Sequence, residues 1–212
     1  MPGGFQIGRL FGTNIYVTTS FFLLLVLCFA AYGLADGSVW CLAVVLSLLV
    51  HEFGHVFAVK WFLKGESAVV LWGLGGLCIH EPADEPGKRL AISLMGPAFE
   101  AVLGGVAVAG WFMLPEHAPV TVRGFVWAML FINTVWVVAN LLPILPLDGG
   151  QALRAALEMR LAPGPALGIA RRISLVTAAG AGGAALYFEY PFAALLCIML
   201  LMQNLTATAR PL

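Results

Sequence analysis

Long apolar segments are the feature that most constrains how this chain can fold. A helix needs about 20 mostly apolar residues to cross the hydrocarbon core of a bilayer, and six segments meet or approach that length. These segments are residues 17–35, 39–63, 90–114, 124–142, 169–188 and 192–207. Because 61% of the residues are apolar and only 10% are charged, lipid is expected to surround most of the surface. The sequence therefore predicts an all-α integral membrane protein with about six transmembrane helices.

The polar residues are too scattered to build a separate soluble domain. We therefore predict a single membrane-embedded domain over residues 1–212. The formal net charge is zero, so no basic surface indicates a nucleic-acid partner. No small-residue cleavage site follows the first apolar segment, which is therefore expected to be retained as a span.

Basic residues separate to two sides once six spans are placed. Arg123 lies on one side, and ten basic residues lie on the other: Arg9, Lys60, Lys64, Lys88, Arg89, Arg154, Arg160, Arg171, Arg172 and Arg210. Because cytoplasmic loops are enriched in Lys and Arg, this distribution predicts a multi-pass cell-membrane protein with both termini in the cytoplasm.

Two connecting segments have patterns of their own. Residues 67–80 combine β-branched side chains with three glycines, Gly73, Gly75 and Gly76, a pattern that favours a short β-hairpin or a re-entrant loop. Residues 149–160 have the pattern of an amphipathic helix at the membrane surface. The Pro-Gly-Pro sequence shortly after them is expected to end that helix.

Two histidines flank a glutamate inside the second apolar segment, in the sequence His51-Glu52-Phe53-Gly54-His55. Residues four apart share one helix face, so the two imidazoles can bind one zinc ion. Glu52, about 100° around the helix, can then act on a water molecule as general base. Three ionisable groups at this depth cost several kcal/mol, which favours a functional site. The structural alternative is that the histidines hydrogen-bond to neighbouring helices and the glutamate pairs with a lysine.

A zinc site of this kind requires a third protein ligand. Asp148 follows the fourth apolar segment, after Pro143 and Pro146, which prevent a regular helix, and before Gly149 and Gly150, which allow close backbone approach. It lies towards the same predicted side as the histidine pair. Its competing role is that of N-cap for the helix that follows. The other candidates are His80, His117 and Glu100.

Two segments together resemble the site-2 protease family of intramembrane zinc metalloproteases. They are H-E-F-G-H at residues 51–55 and N-L-L-P-I-L-P-L-D-G-G at residues 140–150. The resemblance covers roughly residues 39–155, the predicted catalytic core. It implies an all-helical membrane bundle, one Zn²⁺ per chain bound by His51, His55 and Asp148, and Glu52 as the catalytic acid and base.

The resemblance extends to further residues. Asn140 matches a family asparagine that helps to orient substrate or to stabilise the transition state, although an amide at this depth can also join two helices. The three glycines of residues 67–80 resemble a membrane-associated hairpin that binds an unwound substrate. Residues 96–100 resemble the family's G-P-x-x-N segment, with Glu100 in place of Asn. That departure leaves Glu100 open between a protonated carboxyl that bonds another helix and a second carboxylate in a wet cavity.

The function that the resemblance implies is regulated intramembrane proteolysis in a prokaryotic cell membrane. The substrate would be a single-pass or membrane-docked protein, cut near the cytoplasmic side. A compact form without a PDZ or other soluble regulatory module is expected, so selection would rest on the membrane part or on a membrane regulatory protein. Two alternatives stay open: a zinc transporter or other non-proteolytic zinc-binding membrane protein, and an inactive relative. A ligand set for one tetrahedral site argues against the first, and the intact Glu52 against the second.

Overall fold

The computed structural model describes residues 4–73 and 75–208. Most of these residues are helical, and a small sheet completes the fold, as the sequence predicts. In chain order the elements are β1 (Phe5–Leu10), β2 (Thr13–Val17), α1 (Thr19–Phe62), β3 (Ser67–Trp72), β4 (Gly75–His80), α2 (Pro86–Met113), α3 (Val120–Leu141), α4 (Asp148–Glu158), α5 (Pro163–Tyr187) and α6 (Pro191–Thr208).

Within the described residues, three helices are long and apolar enough to cross a membrane: α1, α2 and α3. They support a membrane location. Helix α5 has sufficient length, but Arg171, Arg172 and a glycine-rich second half make it less apolar. Helix α6 is apolar over the shorter stretch Pro191–Thr206. The predicted count of six spans is therefore not confirmed.

Helix α1 reverses direction at Gly33, whose backbone is non-helical (φ 74°, ψ −176°). The Tyr32 ring stacks on Trp40 at 4.7 Å between centroids, and the Cys41 thiol donates a hydrogen bond to the Leu25 carbonyl oxygen at 3.6 Å. A straight helix would hold residues 25 and 41 about 24 Å apart. The first two predicted spans are thus distinct helical segments, but they join at Gly33 rather than at the predicted residues 36–38. A positive φ is readily adopted by glycine.

The sheet has four strands in the order β1-β2-β3-β4. Strands β3 and β4 form the antiparallel hairpin expected for residues 67–80. Strand β2 pairs parallel to β3 and antiparallel to β1. This first hairpin was not predicted, although Thr13, Ile15 and Val17 alternate in burial with their neighbours. Val17 belongs to β2 and not to the first predicted span, because an alternation of only five residues merges in the sequence into the apolar run that follows.

The first of two compact units contains residues 1–82 and 95–138. Its core joins the second half of α1 to the sheet and to α3, so that the histidine-bearing turns are enclosed by apolar side chains. Core residues from the three elements include Val44, Leu48, Val56, Val69, Leu71 and Met129. The approach of α1 to the sheet positions β4 beside Glu52.

The second unit contains residues 83–94 and 139–212. Helix α5 packs against both α4 and α6. At the end of α4, the buried Glu158 carboxylate accepts hydrogen bonds from Arg89 and, at 2.7 Å, from Arg154 Nε. These charge-assisted bonds hold the end of α4 against residues 83–94. The helix predicted at residues 149–160 is confirmed as α4, whereas the single domain predicted over residues 1–212 stays a prediction.

Candidate metal centre

The two motif histidines of α1 converge on one point. His51 and His55 are 5% and 7% exposed, and their Nε2 atoms lie 3.2 Å apart. Two nitrogen ligands of one tetrahedral zinc ion, each about 2.0–2.1 Å from the metal, lie roughly 3.3 Å apart. The spacing within the pair therefore fits two ligands of a single ion.

Glu100, whose role the sequence left open, lies beside His51. Its Oε2 atom is 2.8 Å from His51 Nδ1, and the Glu100 side chain has no exposed surface. The contact is made to the ring nitrogen opposite the one that faces His55. The sequence left two roles open for Glu100: a carboxyl that bonds another helix and a carboxylate in a wet cavity. The structure shows a direct contact with another helix, α1.

Two glycines let α1 and α2 approach closely enough to form this arrangement. A Cβ atom on Gly54 would lie 2.9 Å from the Gly96 Cα atom, closer than carbon atoms pack. A Cβ atom on Gly96 would lie 2.5 Å from His55 Cε1 and 2.8 Å from His51 Nε2. The space beside the two imidazoles therefore exists only because residue 96 has no side chain.

The Glu52 side chain turns to strand β4. It is 4% exposed, and a Cβ atom on Gly76 would lie 2.5 Å from Glu52 Cγ and 2.6 Å from its Cδ. Burial raises the pKa of the Cys78 thiol to about 12, and the charge of Glu52 contributes to the rise. The Glu52 carboxylate thus lies against β4, a strand of the hairpin that is predicted to bind substrate.

The other two predicted substrate-binding glycines also have local structural reasons. A Cβ atom on Gly73 would lie 2.8 Å from the Ser20 carbonyl oxygen. Gly75 has φ 150°, a conformation that side chains rarely adopt. These constraints explain the glycines without a substrate, so their binding role stays a prediction.

The segment before α4 presents Asp148 and Asn140 at its two ends. Asn140 lies in the last turn of α3, and residues 142–147 are irregular, as the prolines predict. The N-cap position of α4 is Leu147, so the proposal that Asp148 is the N-cap is wrong. Asp148 occupies the first turn of α4, where the positive end of the helix dipole stabilises a carboxylate. The role of Asn140 stays a prediction.

Gly149 and Gly150 bring α4 against the preceding segment. A Cβ atom on Gly149 would lie 2.5 Å from the Leu142 carbonyl oxygen, and one on Gly150 would lie 2.6 Å from that of Ile144. The close backbone approach that the sequence predicted here is confirmed. It fixes where Asp148 begins the helix.

Side chains from α5 and α6 hold the irregular segment at Leu145. The Leu145 N–H donates to Ser174 Oγ at 2.9 Å, and Asn204 Nδ2 donates to the Leu145 carbonyl oxygen at 2.6 Å. Ser174 and Asn204 are 0% and 4% exposed. Irregular backbone at membrane depth needs such partners because lipid supplies none.

Ser174→Ala is expected to lower the free energy of unfolding by about 1–3 kcal/mol, because it leaves the N–H of the half-buried Leu145 without its hydroxyl acceptor. Denaturation of the purified chain in detergent measures the change. Ser38→Ala is the matched control. The hydroxyl groups of Ser38 and Ser174 both donate to the carbonyl oxygen four residues earlier, but Ser38 is exposed. Equal effects at the two serines would contradict a specific role for the Leu145 contact.

One group of potential metal ligands stands out in residues 4–73 and 75–208. One ligand atom from each of His51, His55 and Asp148 lies within 4.8 Å of the other two. Two imidazoles and a carboxylate are a donor set that could hold a metal ion. Of the other candidates, the His80 ring lies within hydrogen-bond distance of the Glu81 carbonyl oxygen at 2.6 Å, and His80 and His117 are not in the group.

Comparison with known proteins identifies the family. Residues 115–181 match the family model for peptidase family M50. The chain carries an M50 peptidase domain. This is the site-2 protease family that residues 51–55 and 140–150 predict, so the predicted family is confirmed.

Curated relatives of the M50 domain include named zinc metalloproteases. A putative zinc metalloprotease of Synechocystis is 31% identical over 73% of this chain and 44% of its own length. A zinc metalloprotease of Methanocaldococcus jannaschii is 24% identical over 72% of this chain and 45% of its length. The stage IV sporulation protein FB of Bacillus subtilis is 34% identical over 58% and 42%, respectively. The chain spans less than half the length of these relatives.

A solved structure shows that the fold extends beyond the matched segments. The site-2 protease from Methanocaldococcus jannaschii superposes with a TM-score of 0.68 over 99% of this chain and 96% of its own, at 20% sequence identity. The similarity supports the fold of the M50 domain through all its helices and its sheet.

Proposed function

We propose that this chain is an intramembrane zinc endopeptidase that binds one Zn²⁺ through His51, His55 and Asp148. The observation that carries the proposal is the 3.2 Å separation of the two Nε2 atoms in a buried, helix-enclosed position, which fits two zinc ligands. The names of the curated relatives support zinc as the metal and proteolysis as the activity. Zinc bound there would supply Lewis acidity, polarising the scissile carbonyl and making a neighbouring water more acidic.

In this proposal Glu52 moves the protons. Its carboxylate takes a proton from the attacking water and later delivers one to the leaving nitrogen of the cleaved peptide bond. Asn140 donates a hydrogen bond to the oxyanion that develops on the attacked carbonyl. The backbone of α1 holds Glu52 one residue from His51, which keeps the base beside the metal position throughout.

The substrate we propose is a single-pass or membrane-docked protein. A spanning helix shields its own peptide bonds, so the substrate must unwind before cleavage. Strand β4 pairs with β3 alone among the described strands, and its outer edge can hydrogen-bond to an extended substrate. Gly73, Gly75 and Gly76 would shape this hairpin for that purpose.

We further propose that cleavage occurs near the cytoplasmic side and that both termini are cytoplasmic. Lys60 lies in the last turn of α1 and Lys64 shortly after it, and Lys88 and Arg89 lie in the first turn of α2. The loop between α2 and α3 is followed by a single basic residue, Arg123. The positive-inside rule favours this orientation. We propose that the chain crosses the membrane six times, with α5 and α6 as the last two crossings. We also propose that a membrane regulatory protein recognises it.

The principal alternative is a zinc transporter. A transport path needs successive sites, whereas residues 4–73 and 75–208 contain a single group of three potential ligands. Zinc flux across liposomes that hold the purified chain would favour the alternative. An inactive relative is disfavoured by Glu52, which such a protein would not require.

Substrate capture tests the proposal. Glu52→Gln, which keeps all three metal ligands, is expressed in the native host and purified with the membrane proteins that it retains. At least one retained protein should be cut by the wild-type chain and not by the variant. Glu66→Gln, at an exposed carboxylate, is the matched control and should cleave like the wild type. Capture of no protein that the wild type cleaves would overturn the proposal.

A further inference from the structure

We propose that Glu100 is a positioning residue of the metal centre, which holds the His51 imidazole with its Nε2 atom directed at the metal position. The inference rests on the proposed function and adds to it a residue that motif comparison does not assign. In the family segment that residues 96–100 resemble, the matching position is usually Asn. Here a carboxylate takes that position.

The first support is the cost of placing Glu100 where it is. A carboxylate within a membrane span is unfavourable, and such groups are retained where they have partners or a function. Glu100 has no exposed surface, and its Oε2 atom lies 2.8 Å from His51 Nδ1. The side chain crosses from α2 to α1 to reach a nitrogen of the motif itself.

The second support is which nitrogen Glu100 contacts. A neutral imidazole carries one N–H and one lone pair. When Nδ1–H donates to the carboxylate, the lone pair remains on Nε2, the atom that lies 3.2 Å from His55 Nε2. The contact therefore selects the tautomer that can bind a metal on the side shared with His55, and it prevents rotation of the ring. A carboxylate acceptor also makes the imidazole a stronger ligand.

The third support is the reach of the side chain. Gly96 lies one helical turn before Glu100 on α2 and leaves the space beside both imidazoles open. Glu100 thus contacts the His51 ring at Nδ1, across the ring from the Nε2 atom that faces His55. An Asn at position 100 would be shorter by one methylene and neutral, so it could not supply the same charge-assisted bond from this backbone.

Titration of metal into the purified full-length chain tests the inference, with Zn²⁺ measured by competition with a chelator and Co²⁺ by its absorption. Glu100→Ala should weaken Zn²⁺ binding about 10–100-fold, the usual effect of losing such a partner. Glu100→Gln keeps an acceptor oxygen at the same reach and should recover part of the loss. The Co²⁺ absorption of Glu100→Ala should change in shape, since a misdirected imidazole alters the ligand field.

A structural control separates positioning from general loosening. Asn133→Ala removes another buried interhelical hydrogen bond of the same unit, from Asn133 Nδ2 to Ser47 Oγ at 3.0 Å, and should lower stability with little change in zinc affinity. Wild-type zinc affinity in Glu100→Ala, or equal losses in Glu100→Ala and Asn133→Ala, would overturn the inference and leave the proposed function standing. A wild-type chain that binds no zinc would overturn both.

Discussion

Glu52→Gln should reduce the rate of peptide cleavage by about 10²–10⁴-fold, the usual contribution of a general acid–base group, and should leave zinc bound. Glutamine has nearly the same size and fits the buried position against Gly76. It cannot accept a proton from water at neutral pH, so the chemical step loses its base. The three metal ligands are unchanged.

Single-turnover cleavage of the captured substrate, together with zinc content per chain, measures the two effects separately. Glu66→Gln controls for loss of a negative charge at an exposed position. A variant with wild-type cleavage would remove Glu52 from the mechanism. A variant that lost its zinc would show that the carboxylate acts as a ligand instead.

Gly96→Ala should abolish zinc binding. The added Cβ atom would lie 2.5 Å from His55 Cε1 and 2.8 Å from His51 Nε2, whereas carbon atoms in contact sit about 3.5–4.0 Å apart. The imidazoles must therefore rotate out of their paired arrangement. The backbones of α1 and α2 already lie against each other at Gly54 and Gly96. No space therefore remains for a methyl group while α2 stays in place.

Zinc content and thermal unfolding of the purified variant check this prediction. Gly105→Ala is a matched control on the same helix, since a Cβ atom there would meet nothing within 4 Å. It should keep one zinc per chain. Comparable zinc content in the two variants would contradict the geometry described for the histidine pair.

The histidine pair could be predicted from the sequence because its geometry is local. Positions 51 and 55 are four residues apart on one helix, and helical periodicity alone places them together. The structure adds the partners that come from distant parts of the chain. Glu100 is visible in the sequence as a charge in an apolar span, but its contact with His51 depends on how α1 and α2 pack.

The same limit applies to the segment before Asp148. Its prolines and glycines predict irregular backbone and close approach, and both are present. The hydrogen bond that the Leu145 N–H donates to Ser174 and the one that Leu145 accepts from Asn204 join residues 29 and 59 positions apart, which no local pattern encodes. A serine or asparagine in an apolar helix shows only that some partner is needed.

Two elements differ from their predicted positions because contacts between segments, and not the local pattern, determine where they begin or end. Residues 36–38 form the stronger turn pattern, but the chain reverses at Gly33. That position allows Tyr32 to stack on Trp40 and the Cys41 thiol to bond to the Leu25 carbonyl oxygen. Strands β1 and β2 are short, and only the pairing of β1 with β2 and of β2 with β3 separates them from the apolar segment that follows.

Zinc X-ray absorption of the purified full-length chain tests the central claim most directly. The proposed site predicts one zinc per chain with nitrogen and oxygen ligands at about 2.0–2.1 Å, including the scattering pattern of two imidazoles. Asp148→Ala should lose one oxygen ligand, and His55→Ala should lose one imidazole. Absence of zinc, or a sulfur ligand at about 2.3 Å from one of the four cysteines, would contradict the proposed centre.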